Sequence, residues 1–326
     1  MRNPVFDIMK GIGIVAMILG HSPLPHVFIS FIFTWHMPLF FLISGFFFHP
    51  LNIKESIKKN FRALLVPYFL TIFIIIFLYF IFGSSHYSSF KDVLGAAIIG
   101  AGSRNLPMLQ NYFVGAIWFL QALFWCKVFY VVIDTYSTGF LKIISILIVS
   151  SISMYLGAFF FVPTNLLQGA SALIFFEIGY QFRTSSFLEL RLNHLLLVLI
   201  SLLLIAFSIH SGSMSMVRCF YGFYPINILC AISVFFLLYK LSHLLNSNEI
   251  ISKCLSFLGK ISLLILCIHN IDLFFGVFPL LNNNFFHLTG VEGKFLLVIW
   301  RLFLPVFLSY YLVKLRIITE LFKIKV

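Results

Sequence analysis

The feature that most constrains this chain is a series of long apolar runs, each about the length needed to cross a bilayer. A spanning helix needs about 20 mostly apolar residues, and ten such segments can be placed here: about 6–21, 27–47, 65–83, 113–134, 141–158, 166–182, 195–210, 223–244, 261–281 and 295–314. Several are short or interrupted by Pro or Gly. None alternates with the period of two that an outer-membrane barrel strand requires, so helices are expected. Of the 326 residues, 61% are hydrophobic and only 10% charged, against about 25% charged in a typical soluble domain. A chain with so little polar surface cannot cover itself in water. The expectation is an all-α polytopic membrane protein of about ten spans, one membrane-embedded domain over 1–326 with no extra soluble domain. The start does not read as a cleavable signal, because Asp7 and Lys10 interrupt it and no small-x-small site precedes Pro23.

An even count puts both termini on one side, and the charges say which. Basic residues collect in cytoplasmic loops. With a cytoplasmic N-terminus, the inner positions carry 15 basic residues: Arg2, Lys54, Lys58, Lys59, Arg62, Lys142, Arg183, Arg191, Lys240, Lys253, Lys260, Lys314, Arg316, Lys323 and Lys325. The outer positions carry 4, namely Lys91, Arg104, Arg218 and Lys294. Lys10, Lys127 and Arg301 fall inside spans. The net charge of +12 is accounted for first by this topology, with an anionic cytosolic ligand or anionic lipid as further partners; it does not call for nucleic acid. The five cysteines lack CxxC spacing and are expected to pack as small hydrophobes, with no metal site. The longest outer connection, about 84–112, names no function by composition.

A charge at mid-bilayer costs at least about 2.5 kcal/mol on insertion scales, so each polar group within a span needs a reason. In the first span, Lys10 and His21 are eleven residues apart. At about 100° per residue both lie on one face, and at 1.5 Å per residue they stand roughly 16 Å apart along the axis. Asp7, three residues before Lys10, can pair with it. One polar stripe thus joins two depths of the membrane, although an interfacial Asp7–Lys10 pair and a water-facing helix-end His21 would account for each residue alone. His36 sits in mid-span in Thr34-Trp35-His36-Met37-Pro38-Leu39-Phe40-Phe41, and Ser44-Gly45 beyond it allows close helix contact. Lys59 and Arg62 can share a face and grip phosphate, or can serve topology alone. Asp272 and Arg301 are expected at similar depth and to pair. Glu177 suggests no specific role.

In this order the residues resemble the integral-membrane acyltransferase family 3. Asp7-Ile8-Met9-Lys10-Gly11 followed by Gly20-His21 is similar to that family's basic residue, ten intervening residues and histidine; many members have Arg where Lys10 stands. The Lys-Gly form, with Trp35-His36-Met37-Pro38-Leu39-Phe40-Phe41-Leu42-Ile43-Ser44-Gly45-Phe46, looks like the fucose 4-O-acetylase-type branch. Lys59-Asn60-Phe61-Arg62 resembles the family's basic-x-x-Arg motif. Leu65-Val66-Pro67-Tyr68, Trp118-Phe119-Leu120 and Phe257-Leu258-Gly259-Lys260-Ile261-Ser262, leading into His269-Asn270, also match, whereas about 135–250 matches only in hydropathy.

The resemblance implies an O-acetyltransferase of the cell inner membrane. It would move acetyl from cytosolic acetyl-CoA, a substrate and not a bound cofactor, to a hydroxyl of a sugar or polyprenol-linked glycan. His21 is the expected general base, because imidazole titrates near neutral pH. His36 would orient the acceptor or donate to the oxyanion, Asp7, close enough to pair with Lys10, is counted with these histidines as catalytic, and Lys10, Lys59 and Arg62 would receive the coenzyme. Ser44, Gly45, Trp118, His269, Asn270, Asp272 and Arg301 complete the motif set. No Gly-x-Ser-x-Gly elbow is present, so direct transfer is expected over an acetyl-enzyme. The alternative is a transporter or flippase for a glycan or its lipid carrier.

Overall fold

The structure is a computed structural model that describes residues 3–82, 89–103, 107–185, 188, 194–212, 214–276, 282 and 289–324. Arg2, Arg104, Arg191 and Lys325, used above for topology, lie outside the described residues, as do parts of the 84–112 connection and the end of the ninth expected span. The chain is all-helical, and the described residues contain only isolated bridges such as Ala101 with Phe113. Every expected span falls on a helix. These are α1 (Pro4–Gly20), α2 (His26–Phe46), α4 (Val66–Phe82), α6 (Trp118–Tyr136), α7 (Gly139–Phe159), α8 (Leu166–Ser171) with α9 (Leu173–Thr184), α10 (His194–Ser211), α11 (Tyr224–Asn246), α13 (Ser262–Phe275) and α14 (Gly290–Leu312). Shorter helices α3 (Ile53–Asn60), α5 (Phe90–Ile99), α12 (Glu249–Lys260) and α15 (Arg316–Leu321) complete the set.

Six helical segments among the described residues are long and apolar enough to cross a membrane, or seven if α12 and α13, bent by 66° at their junction, form one broken span. This is fewer than ten because α1 has 17 residues, α8 and α9 are split at Ala172, the apolar part of α10 over Leu195–Ser211 is short, and α13 has only 14 residues. The outer surfaces of α4, α7, α10 and α14 expose large apolar side chains, including Phe73, Phe80, Ile152, Leu203 and Phe303. Such a surface is stable only against lipid. The chain is therefore an integral membrane protein.

Two close approaches between helix backbones set the interior. A Cβ on Gly45 would collide with the Phe176 carbonyl, and one on Gly179 with the Leu42 carbonyl, so α2 and α9 touch main chain to main chain. Likewise a Cβ on Gly259 would strike the Asp7 carbonyl and one on Gly11 the Leu255 carbonyl, which draws α12 onto α1. Small residues are what permit such contacts where lipid offers no hydrophobic drive to association. The Ser44-Gly45 expectation is met on the α9 side. The α1–α12 contact places the α12–α13 bend beside the start of the Lys10–His21 stripe.

A buried charge network ties α6, α7 and α9. Lys142 Nζ lies 2.6 Å from Asp134 and 3.7 Å from Glu177, and it stacks over the rings of Tyr130 and Tyr180 at 4.6 and 4.4 Å. The Tyr130 hydroxyl donates to Glu177 at 2.6 Å and Gln181 donates to its other oxygen at 2.5 Å. Lys142, counted above as a loop charge, is instead only 7% exposed and gives Glu177 a structural role.

Candidate active site

The spacing of α1 presents Lys10, Ile14, Met17 and His21 along one stripe, at steps of four, three and four residues. Helix α2 answers with Ile29, Ser30, Phe33, His36, Met37, Phe40, Ile43 and Ser44 at the same period. These two stripes face each other across a cavity of about 1020 Å³. Trp118 and Phe119 from α6, and Lys260 and Ser262 from the α12–α13 bend, close it further. Lys10 and His21 therefore line one chamber, roughly 16 Å apart along α1.

The two histidines are held alike. His21 Nδ1–H donates to the Met17 carbonyl at 2.8 Å, and His36 Nδ1–H donates to the Ile32 carbonyl at 2.8 Å. A carbonyl only accepts, so each neutral ring keeps its lone pair on Nε2. His21 is thereby set up as a proton acceptor. His36, with its N–H already used, is suited to accept from a hydroxyl and, as a neutral ring, has no donor left for an oxyanion. The His21 ring is flanked by Phe33 and by His269, with centroids 5.9 and 5.7 Å away.

The other expected site residues fall into separate groups. Asp7 is buried and pairs with Lys10 at 3.5 Å, as its spacing predicts, but lies behind the cavity wall. Trp118 and Ser44 line the cavity; Gly45 serves the α2–α9 contact. Lys59 and Arg62 are exposed, on α3 and the π-helical turn Phe61–Leu65 that follows it, and neither reaches the cavity wall. Lys260, next to the Gly259 contact that packs α12 onto α1, lines the cavity with Lys10. Lys260 lies in the Phe257–Ser262 motif, and its place at the cavity is set by the α1–α12 packing and not by any local pattern.

The expected Asp272–Arg301 ion pair is not formed. Asp272 accepts from the Trp300 indole at 3.2 Å, and Arg301 donates to the His21 backbone carbonyl. The two charges still feel each other electrostatically, but the guanidinium serves the end of α1 instead. His269 and Asn270 are fully buried, and neither ring nitrogen of His269 nor either amide atom of Asn270 has a hydrogen-bond partner. Buried polar groups are ordinarily satisfied; these two are neighbours on α13, where the His269 ring lies against that of His21. Gly115, at φ +70°, makes room for Asn270, whose amide oxygen a Cβ there would strike.

A helical membrane protein with a chamber carrying lysines at one level and unprotonated imidazole nitrogens at another is suited to group transfer within the bilayer. Residues 3–314 match the acyltransferase domain of the integral-membrane acyltransferase family 3, and the chain belongs to that family. It is an acyltransferase. No curated protein and no solved structure matches the chain.

Proposed function

We propose that this acyltransferase carries acetyl from cytosolic acetyl-CoA to a hydroxyl of a cell-surface or lipid-linked glycan sugar, in the manner of the fucose 4-O-acetylase-type branch. The supporting observation is that Lys10 and His21, from one stripe of α1, line the same cavity. In this reading both termini are cytoplasmic in the inner membrane. The ten helical segments all count as spans, the short ones as broken or thin crossings.

Lys10 and Lys260 attract the coenzyme phosphates at the inner mouth, with Lys59 and Arg62 as exposed cations that guide it in. The narrow pantetheine arm extends along the α1 stripe. His21 Nε2 takes the proton of the acceptor hydroxyl as its oxygen attacks the thioester carbonyl carbon. The C–O bond forms, the C–S bond breaks, and the departing thiolate takes the proton back from His21. His36 Nε2 accepts from the acceptor and orients it. Arg301 fixes the His21 main chain.

The test is mass spectrometry of the surface polysaccharide from cells with and without this protein. Loss of a 42-dalton acetyl increment on one sugar, restored by the wild-type gene, is expected. An intact acetyl pattern together with failed export of the unmodified glycan would instead select the transporter reading.

A further inference from the structure

The cavity's charge is one-sided along its whole length. Its described lining carries three permanent cations, Lys10, Lys260 and Arg218, together with four histidines, and no Asp or Glu. The coenzyme accounts for Lys10 and Lys260 in the reading above, on which this inference rests. Arg218 is left over. It stands in the connection between α10 and α11, far along the chain from both lysines, and shares the cavity wall with His26 at the start of α2 and His210 at the end of α10. Ser208, two residues before His210, meets Thr34 of α2 through their hydroxyls at 3.4 Å. This places the Arg218 loop by the half of α2 that follows His21, away from Lys10.

The loop is built to hold its arginine in place. Ser215 and Phe220 exchange backbone hydrogen bonds at 2.7 and 3.1 Å, and Cys219 takes a left-handed φ of +51° to close the turn. Tyr221 bonds Ser171 of α8 at 3.0 Å, Gln168 donates to the Val217 carbonyl at 3.2 Å, and Asn227 of α11 donates to the Tyr221 carbonyl at 2.9 Å. Met214, Met216, Cys219 and Tyr221 are buried while Arg218 between them is exposed. No carboxylate among the described residues forms an ion pair with it. A second, smaller cavity of about 240 Å³ also opens on Arg218 and contains no acidic residue among its described lining. An unpaired guanidinium on a rigid turn, where two cavities without carboxylates meet, is an anion receptor by its chemistry, because its planar donors match carboxylate and phosphate oxygens.

We infer that Arg218 binds an anionic group on the acceptor, so that the sugar to be acylated carries or adjoins a carboxylate or a phosphate. The chamber then takes an anion at each end. The coenzyme phosphates sit at Lys10 and Lys260, the acceptor anion sits at Arg218, and the hydroxyl and thioester meet between them at His21.

Binding of glucuronate, glucose 1-phosphate and glucose to the purified full-length protein in detergent tests this directly, with Arg218→Gln and Arg218→Lys beside the wild type. At least one anionic sugar should bind about tenfold or more tighter than glucose. Arg218→Gln should reduce it to the glucose level and Arg218→Lys should keep part of the preference. Preference for glucuronate assigns an acidic sugar, and preference for glucose 1-phosphate a phosphate-linked one. Equal binding of all three sugars, or an undiminished preference in Arg218→Gln protein with a wild-type melting temperature, overturns the inference. Acetyl-CoA binding, measured on the same preparation, reports separately on the acyltransfer reading, since it does not depend on Arg218.

Discussion

Arg301 of α14 donates to the backbone carbonyl of His21, the residue that caps α1. The bond joins the last long helix to the first at the point where the proposed base leaves the helix. Arg301→Ala should leave the protein folded and its use of acetyl-CoA little changed, while lowering kcat by about tenfold or more, because the imidazole loses its fixed seat. Arg301→Lys, which keeps a donor of shorter reach, should recover part of the rate. Steady-state kinetics on both variants checks the split between kcat and KM.

Asn270 offers a test in which stability and activity move apart. Its amide is buried without a partner, and a near-isosteric Asn270→Leu substitution removes an unsatisfied polar group. Such a replacement is near neutral or stabilising for the fold. Thermal unfolding in detergent should show an unchanged or raised melting temperature, and acetyl transfer should fall. A drop in both would mean that the amide serves packing alone.

The Lys142 network makes the opposite prediction. Lys142→Met would leave Asp134 and Glu177 without the cation that sits between them, with Glu177 almost fully buried. Breaking a buried pair by removing one partner costs about 3–5 kcal/mol. The variant should melt well below the wild type, and Lys142→Met combined with Glu177→Gln should restore part of the loss.

The α1–α12 contact is equally direct to test. Gly259→Ala places a methyl group against the Asp7 carbonyl, a main-chain atom that cannot turn aside. Overpacking of this kind costs about 1–3 kcal/mol. Because the same contact carries Lys260 to the cavity, the affinity for acetyl-CoA should weaken along with the melting temperature. A control Gly139→Ala, where a Cβ meets nothing within 4 Å, should leave that affinity unchanged, although its φ of +53° costs some stability.

Much of the helical framework was legible because apolar runs and helix period are local properties. The Lys10–His21 stripe needed only 100° per residue, and the Asp7–Lys10 pair only a three-residue step. Ser44-Gly45 signalled a close contact through size alone. What the sequence withheld were positions fixed by tertiary packing. Lys260 reaches the cavity through the packing of α12 onto α1, and Arg218 through the anchoring of its loop to α8 and α11. Asp272 and Arg301 have the charges of a pair, but Trp300 and the His21 carbonyl offer nearer partners. Lys142 looked like a topological charge because its two carboxylates lie 8 and 35 residues away in the chain.

The most direct test of the central claim is transfer of labelled acetyl from acetyl-CoA, supplied at the cytoplasmic face of inverted membrane vesicles, to the glycan in wild-type, Lys10→Ala and His21→Ala protein. The account predicts that His21→Ala lowers transfer by about 10²–10⁴-fold, the usual contribution of a general base, with acetyl-CoA affinity retained, whereas Lys10→Ala chiefly weakens that affinity. Wild-type transfer rates in the His21→Ala protein would contradict it.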